Sequence, residues 1–320
     1  IPERPIPSER AKGVFVILAR NREVNDLAKS IPMLEKTFNS KYNYPYVFLN
    51  DEPFDDRFMN TMRNLSSSQM SFGLIPSEHW SYPAWVNKTL AAVNRQELER
   101  KQILYGGSES YRHMCRFNSG FFFRHPLLDG FDYYWRVEPG VEFDCELPYD
   151  PFMYMQKNGV EYGFTILLPE YKETIPTLWK TVKQFMKEHP DYVHPKNMLR
   201  MFTDGTEIYN LCHFWSNFEI ASLNFFRSEK YLRYFEYLDA TGGFFYERWG
   251  DAPVHSIAVA MMLPKEKIHW FEEIGYLHSP LRNCPNNPAI NAYCKCDPNG
   301  SSHLGYGRNC HIRYEEAIID

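Results

Sequence analysis

The chain has 320 residues, of which 44% are hydrophobic and 23% are charged, and its formal net charge is −5. This composition excludes an intrinsically disordered protein, because a chain of this length buries about three quarters of its unfolded surface in one large or two medium domains. The slight acidic excess gives no electrostatic reason to expect a nucleic-acid or anionic-membrane partner. Aromatic residues make up 17% of the chain, which favours a protein that packs rings against sugars or other flat substrates.

The first twelve residues differ from the rest of the chain. They contain three prolines and charges of both signs, and we interpret residues 1–12 as an extended stem that follows a missing upstream segment. The sequence has no run approaching 18 uninterrupted apolar residues, so it predicts no membrane span within itself. A membrane anchor is therefore expected only in the segment upstream of the stem.

After the stem, the chain alternates between patterns of buried strands and amphipathic helices. Strands are predicted at 13–19, 46–49, 70–75, 133–137 and 162–168. Helices are predicted at 24–38, kinked or split at Pro32, at 85–103, in a segment with Pro176 near its first turn, at 219–237 and near 255–262. Sequential β-α units require a sheet dominated by parallel pairs, so the predicted fold class is α/β.

The seven cysteines indicate an oxidising compartment. Four of them are crowded near the end, and we expect two disulfides among Cys284, Cys294, Cys296 and Cys310. A zinc site using the Cys-x-Cys pair is the alternative, although no His stands at a ligand interval. The other three are expected as buried free thiols at Cys115, Cys145 and Cys212. Sequons at Asn64, Asn87 and Asn299 indicate the same secretory lumen.

Three common fingerprints are absent from the sequence: a G-x-G-x-x-G motif after the first strand, a P-loop and an H-E-x-x-H motif. An acid, Glu138, instead follows the strand predicted at 133–137, at the edge where open α/β sheets bind ligands. A divalent cation on a diphosphate needs only one or two protein carboxylates, because phosphate oxygens and water complete its coordination. Glu138 is therefore a candidate metal ligand; the alternative is a strand-end acid that is hydrated or paired with Arg136.

Four further residues are candidates for chemistry. Glu219 stands among rings and aliphatic side chains, where the pKa of a carboxylate is shifted and the group can act as acid, base or nucleophile. The alternative is an acid on a helix that pairs with a nearby cation. His255 and His278 each follow apolar residues, so a structural histidine is the alternative for both. Asp251 either caps a helix or contacts a substrate hydroxyl. The aromatic segment 79–85 is interpreted as a sugar platform or as an anchor of its loop.

Four segments together resemble the fungal α-1,2-mannosyltransferases of glycosyltransferase family 15. They are Tyr111–Gly120, Tyr134–Pro139, Asn217–Ala221 and Tyr246–His255, and the resemblance runs from about residue 13 to residue 313. It implies a single-pass type II Golgi membrane protein whose lumenal catalytic domain has a GT-A-type fold, with a mixed, mostly parallel sheet flanked by helices. Residues 13–320 would form that domain, with a nucleotide-binding half at about 13–145 and an acceptor half at about 146–320.

The resemblance also implies residue roles. Glu138 would replace the family's Asp-x-Asp metal motif, His278 would be the second protein ligand of Mn2+, and Glu219 would be the carboxylate proposed as nucleophile. Tyr111 and Asp251 would belong to the donor or acceptor site, and Arg20 would meet the nucleotide. Because no second acid follows Glu138 two residues later, metal binding would depend on the diphosphate and on His278.

The implied reaction is transfer of mannose from GDP-mannose to a terminal mannose of N- or O-linked glycans, with Mn2+ and with retention of the α configuration. Retention leaves two routes open. In double displacement Glu219 attacks the anomeric carbon, whereas in front-face return it only stabilises developing positive charge. Three other functions remain alternatives: a mannan-binding relative without turnover, a mannosylphosphate transferase and a glycoside hydrolase.

Overall fold

The computed structural model describes residues 9–203 and 207–319. Most of the predicted stem therefore lies outside the described residues. The strands are β1 (Gly13–Leu18), β2 (Tyr46–Asn50), β3 (Met70–Leu74), β4 (Tyr133–Arg136), β5 (Glu142–Phe143), β6 (Tyr162–Phe164), β7 (Leu167–Pro169), β8 (Cys212–Phe214), β9 (Ile220–Ser222), β10 (Ile268–Trp270), β11 (Tyr276–His278) and β12 (Leu281–Asn283). The α-helices are α1 (Val24–Leu34), α2 (Ser40–Tyr42), α3 (Asp56–Arg63), α4 (Lys88–Arg100), α5 (Glu109–Gly120), α6 (Pro151–Asn158), α7 (Leu178–Glu188), α8 (Leu223–Phe226), α9 (Glu229–Ala240), α10 (Gly243–Tyr246), α11 (Asp251–Met262), α12 (Pro288–Asn291) and α13 (Arg308–Ile319).

A seven-stranded sheet forms the centre of the molecule, in the order β10-β6-β9-β4-β1-β2-β3. β1 pairs in parallel with β2 and β4, β2 with β3, and β6 with β10. β9 is antiparallel to both of its neighbours, β4 and β6. The predicted fold class, a mixed and mostly parallel sheet flanked by helices, is confirmed.

The apolar core lies on both faces of this sheet. In β1, Val14 and Val16 belong to one buried cluster, while Phe15 and Ile17 belong to the other. This alternation follows from the two-residue period of a strand, and a continuous apolar strand is required because helices cover both faces. The first cluster includes side chains of α5, α9 and α11, and the second includes those of α1, α3 and α6. The proposed division into two halves near residue 145 stays a prediction, and the sheet takes strands from both sides of it.

A small antiparallel sheet, β12-β11-β5, stands next to the end of β4. Gly140, with φ of +83°, turns the chain between β4 and β5 in a left-handed conformation that a side chain would strain. β11 pairs antiparallel with β5, with Leu277 opposite Glu142. This register brings His278 beside the segment that follows β4, although the two are 140 residues apart in sequence.

The disulfide pattern differs from the prediction. The bonds are Cys145–Cys294, Cys212–Cys310 and Cys284–Cys296, and Cys115 is the buried free thiol. One bridge between late cysteines is therefore confirmed, but the expected second one and the free thiols at Cys145 and Cys212 are wrong. The prediction paired cysteines that are close in sequence, whereas the fold brings Cys145 and Cys212 next to partners that are 149 and 98 residues away. A zinc site on the Cys-x-Cys pair is excluded, since both sulfurs are in disulfides.

Two predicted elements are also wrong. The helix predicted at 219–237 is strand β9 followed by the helices α8 and α9, because Ile220–Ser222 hydrogen-bond between β4 and β6 rather than along a helix. The strand predicted at 162–168 divides into β6 in the large sheet and β7, which pairs with β8.

Pro32 does not break its helix, which continues from α1 into a π-helical turn at Glu35–Asn39. Within 9–203 and 207–319, no helix combines the length and hydropathy needed to cross a bilayer.

Candidate functional site

A cavity of about 870 Å³ opens where the strands of the large sheet end. Because β1, β2 and β4 are parallel, the residues that follow them meet at one edge, and Arg20, Asp51 and Glu138 line the cavity there. β9 runs the other way, so Ser216 and Asn217, which precede it, line the same cavity. Of the sequence-predicted site residues, Arg20, Tyr111, Glu138, Asp251 and His278 all line it.

Arg136, the last residue of β4, connects two of the cavity carboxylates. Its Nη1 donates to Asp251 Oδ2 at 2.5 Å and its Nη2 donates to Glu138 Oε1 at 2.6 Å, while Ser216 Oγ donates to Asp251 Oδ2 at 2.7 Å. Burial opposes ionisation of Asp251, but Arg136, His255 and the Ser216 hydroxyl together lower the pKa of that carboxyl. Asp251 is the first residue of α11 and Gly250 is its N-cap, so Asp251 is a cavity carboxylate rather than the helix cap.

Glu138 and His278 form a pair with the geometry of two metal ligands. His278 Nε2 lies 3.2 Å from Glu138 Oε2, and His278 Nδ1 is buried with no hydrogen-bond partner among residues 9–203 and 207–319. Burial opposes ionisation of Glu138, yet Arg136 and His278 lower its pKa to about 2. Neighbouring ligands in an octahedron with bonds of about 2.0–2.2 Å are about 3 Å apart. One carboxylate oxygen and one imidazole nitrogen therefore fit adjacent positions on a divalent cation such as Mn2+.

Tyr111 lies in a column of stacked groups on another wall of the cavity. Tyr105 stacks on its ring with centroids 4.5 Å apart, and the guanidinium of Arg248 lies 5.1 Å from the ring centroid. Arg248 Nη2 in turn donates to Glu170 Oε1 at 3.2 Å. Burial raises the pKa of Tyr111 well above its ordinary value, so its hydroxyl stays protonated and can donate to a ligand.

Sequence reasoning missed Glu170 and Arg248 as residues of this wall. Arg248 belongs to the segment Tyr246–His255 that carried the family resemblance, so attention to its charge in an apolar surrounding could have found it. Glu170 follows the short strand β7 and carries no motif, and only the tertiary pairing with Arg248 distinguishes it.

Glu219 does not line the cavity. Its side chain is 0% exposed, and three groups surround its carboxylate: the hydroxyls of Tyr134 and Tyr162, at 2.7 and 2.9 Å, and His255 Nδ1 at 2.8 Å. The reason is positional, because Glu219 precedes β9 and its carbonyl accepts from the backbone of Arg136, which turns its side chain into the layer of α5 and α11. The role of nucleophile implied for Glu219 stays a prediction, and in this structure its carboxylate faces these three partners rather than the cavity.

His255 is a structural partner of Glu219. Its Nε2 lies 3.0 Å from the carbonyl oxygen of Asn118 and its Nδ1 faces Glu219. The ring therefore bridges the Glu219 carboxylate and the backbone of α5. In the segment 79–85, Trp80 and Tyr82 pack against the core, and Trp80 also lines the cavity. That segment therefore anchors its loop and contributes one ring to the site.

Comparisons with known proteins agree with this site. The family described as glycolipid 2-alpha-mannosyltransferase matches residues 2–318. Glycolipid 2-alpha-mannosyltransferase 1 of Candida albicans is 52% identical over 98% of this chain and 74% of its own length. Alpha-1,2 mannosyltransferase KTR1 of Saccharomyces cerevisiae is 53% identical over 90% of this chain and 74% of its own length.

Two solved structures share the fold over nearly the whole chain. Core-mannan synthase A (CmsA/Ktr4) from Aspergillus fumigatus, in its Mn/GDP form, has a TM-score of 0.92 at 42% identity and covers 99% of this chain and 87% of that one. The mannosyltransferase Ktr4p of S. cerevisiae in complex with GDP has a TM-score of 0.90 at 37% identity, with 98% and 87% covered. The chain therefore belongs to the glycolipid 2-alpha-mannosyltransferase family and is a glycosyltransferase that transfers mannose.

Proposed function

We propose that the chain is a retaining α-1,2-mannosyltransferase that moves mannose from GDP-mannose to a mannose hydroxyl of N- or O-linked glycans, with Mn2+, in the Golgi lumen. The observation that carries the proposal is the Glu138–His278 pair, 3.2 Å apart, in a cavity lined also by Arg20 and Asp251. Related structures with GDP, and in one case Mn, support the choice of nucleotide and cation. The curated relatives are named as α-1,2-mannosyltransferases, which supports the linkage.

The donor would lie along the edge formed by β1, β2 and β4. The positively charged guanidinium of Arg20 lies in the part of the cavity nearest the start of α1, where it can pair with a phosphate of the nucleotide. Glu138 Oε2 and His278 Nε2 would hold Mn2+, which when bound supplies Lewis-acid stabilisation of the departing diphosphate. Arg136 keeps Glu138 ionised and oriented through its 2.6 Å hydrogen bond, so the ligand oxygen is prepared before the metal binds.

The acceptor would enter on the side of Tyr111 and Asp251. Asp251 is held by Arg136 and Ser216 and stays ionised because its pKa is lowered, so it can accept a hydrogen bond from a sugar hydroxyl. Tyr111 stays protonated and can donate one. These two groups orient a neutral polyol without the need for a charged acceptor.

The geometry favours front-face return over double displacement. A nucleophile must reach the anomeric carbon with a free lone pair, within about 3–3.5 Å. Glu219 is sealed from the cavity and its oxygens are occupied by Tyr134, Tyr162 and His255. In front-face return the acceptor hydroxyl attacks from the side of the departing GDP, its proton passes to the leaving phosphate oxygen, and the α configuration is retained.

The test is release of GDP from GDP-mannose with methyl α-mannoside as acceptor, with and without Mn2+, and determination of the product linkage by NMR. We expect an α-1,2-linked dimannoside that requires the metal. Glu138→Ala and His278→Ala should abolish its formation, whereas Glu142→Ala, which removes a nearby acid outside the cavity, should not. Transfer that is unchanged in both ligand variants would overturn the metal site, and GDP binding without any transfer would leave a binding protein.

A further inference from the structure

Three exposed tyrosines surround the mouth of the cavity. Tyr105, Tyr171 and Tyr306 are 54%, 45% and 57% exposed, and each also lines the cavity. We call these three residues the tyrosine rim. Within the described part of the chain, their hydroxyls have no hydrogen-bond partner. The three rings are therefore available to a ligand that enters the cavity.

The rim is connected to the reacting part of the site through a continuous set of contacts. Tyr105 stacks on Tyr111, the Arg248 guanidinium lies over the Tyr111 ring, and Arg248 pairs with Glu170. Tyr171 follows Glu170 directly, and its backbone N–H donates to Glu170 Oε1 at 2.7 Å. Tyr306 lines the same cavity as Glu170 and Tyr171. The rings and the polar groups beneath them form one wall.

The rim rings are held by their backbones. Tyr105 has a φ of +57°, a left-handed conformation that is costly for a bulky residue and is kept only where the surroundings impose it. Tyr306 precedes α13, which the Cys212–Cys310 disulfide joins to β8. Gly307 N donates to Ser302 O at 2.8 Å and closes the turn that carries Tyr306. A prearranged aromatic surface binds ligands with little loss of conformational entropy.

The chemistry of the wall fits a chain of sugar residues. Each ring can pack against the C–H face of a pyranose, while free phenol hydroxyls and the Glu170 carboxylate can bind its hydroxyls. The Glu170 carboxylate and the Arg248 guanidinium accompany the rings in this wall, and such a mixture of rings and charged groups suits a hydroxyl-rich ligand better than a protein or a lipid surface. The cavity volume of about 870 Å³ is near the upper end of the range of about 300–1,000 Å³ for ligand pockets, which leaves room for an acceptor beside a nucleotide.

We propose that the tyrosine rim is an acceptor platform that binds mannose residues beyond the one that reacts, so that the preferred acceptor is an oligomannoside rather than a single mannose. This inference rests on the proposed function, because it places the reacting mannose at Tyr111 and Asp251. The platform adds affinity for the second and third sugars without contributing to the chemical step.

The test compares binding of α-1,2-mannotriose and methyl α-mannoside, by calorimetry, to the whole protein with GDP and Mn2+. A contact ring at an interface contributes a factor of about five or more in affinity, so we expect wild type to bind mannotriose at least about fivefold more tightly. In Tyr171→Ala/Tyr306→Ala and in Tyr105→Ala this ratio should fall towards one. Tyr306→Phe should keep most of it, and Tyr293→Ala, which removes a more exposed tyrosine away from the cavity, should keep all of it.

Two results would overturn the inference. One is equal affinity of wild type for the trisaccharide and the monosaccharide. The other is an unchanged ratio in rim variants whose circular dichroism matches wild type. Turnover measured on the same samples separates this inference from the proposed function. A length preference that the rim variants lose, without any mannosyl transfer, would support the platform and contradict the transferase.

Discussion

Replacing Glu219 with glutamine removes the negative charge that Tyr134, Tyr162 and His255 surround at 2.7–2.9 Å. If Glu219 is a positioning residue, as its burial indicates, the main effect is on stability. If it is the nucleophile, the main effect is on turnover of a folded enzyme. The two outcomes differ in magnitude as well as in kind.

The stability loss follows from the contacts. Glu219→Ala leaves three buried groups without a partner, and an unsatisfied buried group costs about 1–3 kcal/mol. Loss of one partner of a buried ion pair typically costs about 3–5 kcal/mol in total, which is a large part of a free energy of unfolding of about 5–15 kcal/mol. Glu219→Gln keeps the volume and one acceptor oxygen, and the phenols can rotate to accept, so its loss should be about 1–2 kcal/mol.

The assay combines urea unfolding with GDP-mannose turnover. Tyr134→Phe is the matched control, because it removes one donor to Glu219 and keeps the ring in place. We expect Glu219→Gln and Tyr134→Phe to lose stability and turnover in parallel, by less than about a hundredfold in rate. Loss of a catalytic nucleophile, in contrast, costs about 10⁴–10⁶-fold and leaves Tyr134→Phe close to wild type.

The reasoning would be refuted by a mannosyl adduct on the peptide that contains Glu219, found by mass spectrometry after reaction with a slow fluorinated donor. It would equally fail if Glu219→Gln unfolds at the wild-type urea concentration yet has lost turnover by four orders of magnitude. Either result would require the carboxylate to reach the cavity by a rearrangement of β9.

Four further outcomes are expected. His278→Ala should fold normally and lose Mn2+ binding in the presence of GDP, measured by electron paramagnetic resonance, and retained binding would exclude it as a ligand. Removing the disulfide in Cys212→Ala/Cys310→Ala should cost up to about 4.7 kcal/mol in the chain-entropy account, since it closes a loop of 98 residues, and a change below about 1 kcal/mol in urea unfolding would contradict this. Cys115 should resist alkylation in the native state, because burial raises its pKa, and become the single reactive thiol in urea without reductant; mass spectrometry counts the labels. Burial lowers the pKa of six histidines, His213 among them, so below about pH 6.5 the unfolded chain binds more protons than the folded one. The urea concentration at the unfolding midpoint should therefore fall from pH 7 to pH 5, and a midpoint that rises over this range would contradict the prediction.

Local patterns predicted the first half of the fold well. The apolar runs of β1, β2 and β4 bury side chains on both faces, so their sequences carry a signal that needs no tertiary information. The same pattern predicted Glu138 at the ligand-binding edge of the sheet, and the family resemblance implied Arg20 beside the nucleotide; both residues line one cavity. The segment after Glu219 was misassigned because a three-residue strand followed by helices has too few residues to show a period.

The sequence by itself determined the fold class, the strand-end position of Glu138 and the family, because each depends on residues that are adjacent along the chain. Only the tertiary structure decided which of the candidates face a ligand. The register of β11 on β5 places His278 beside Glu138, although the two are 140 residues apart in sequence. The packing also buries Glu219, whose carboxylate accepts hydrogen bonds from Tyr134 and Tyr162. The physical reason is that burial and the distance between side chains depend on how distant strands pair and pack.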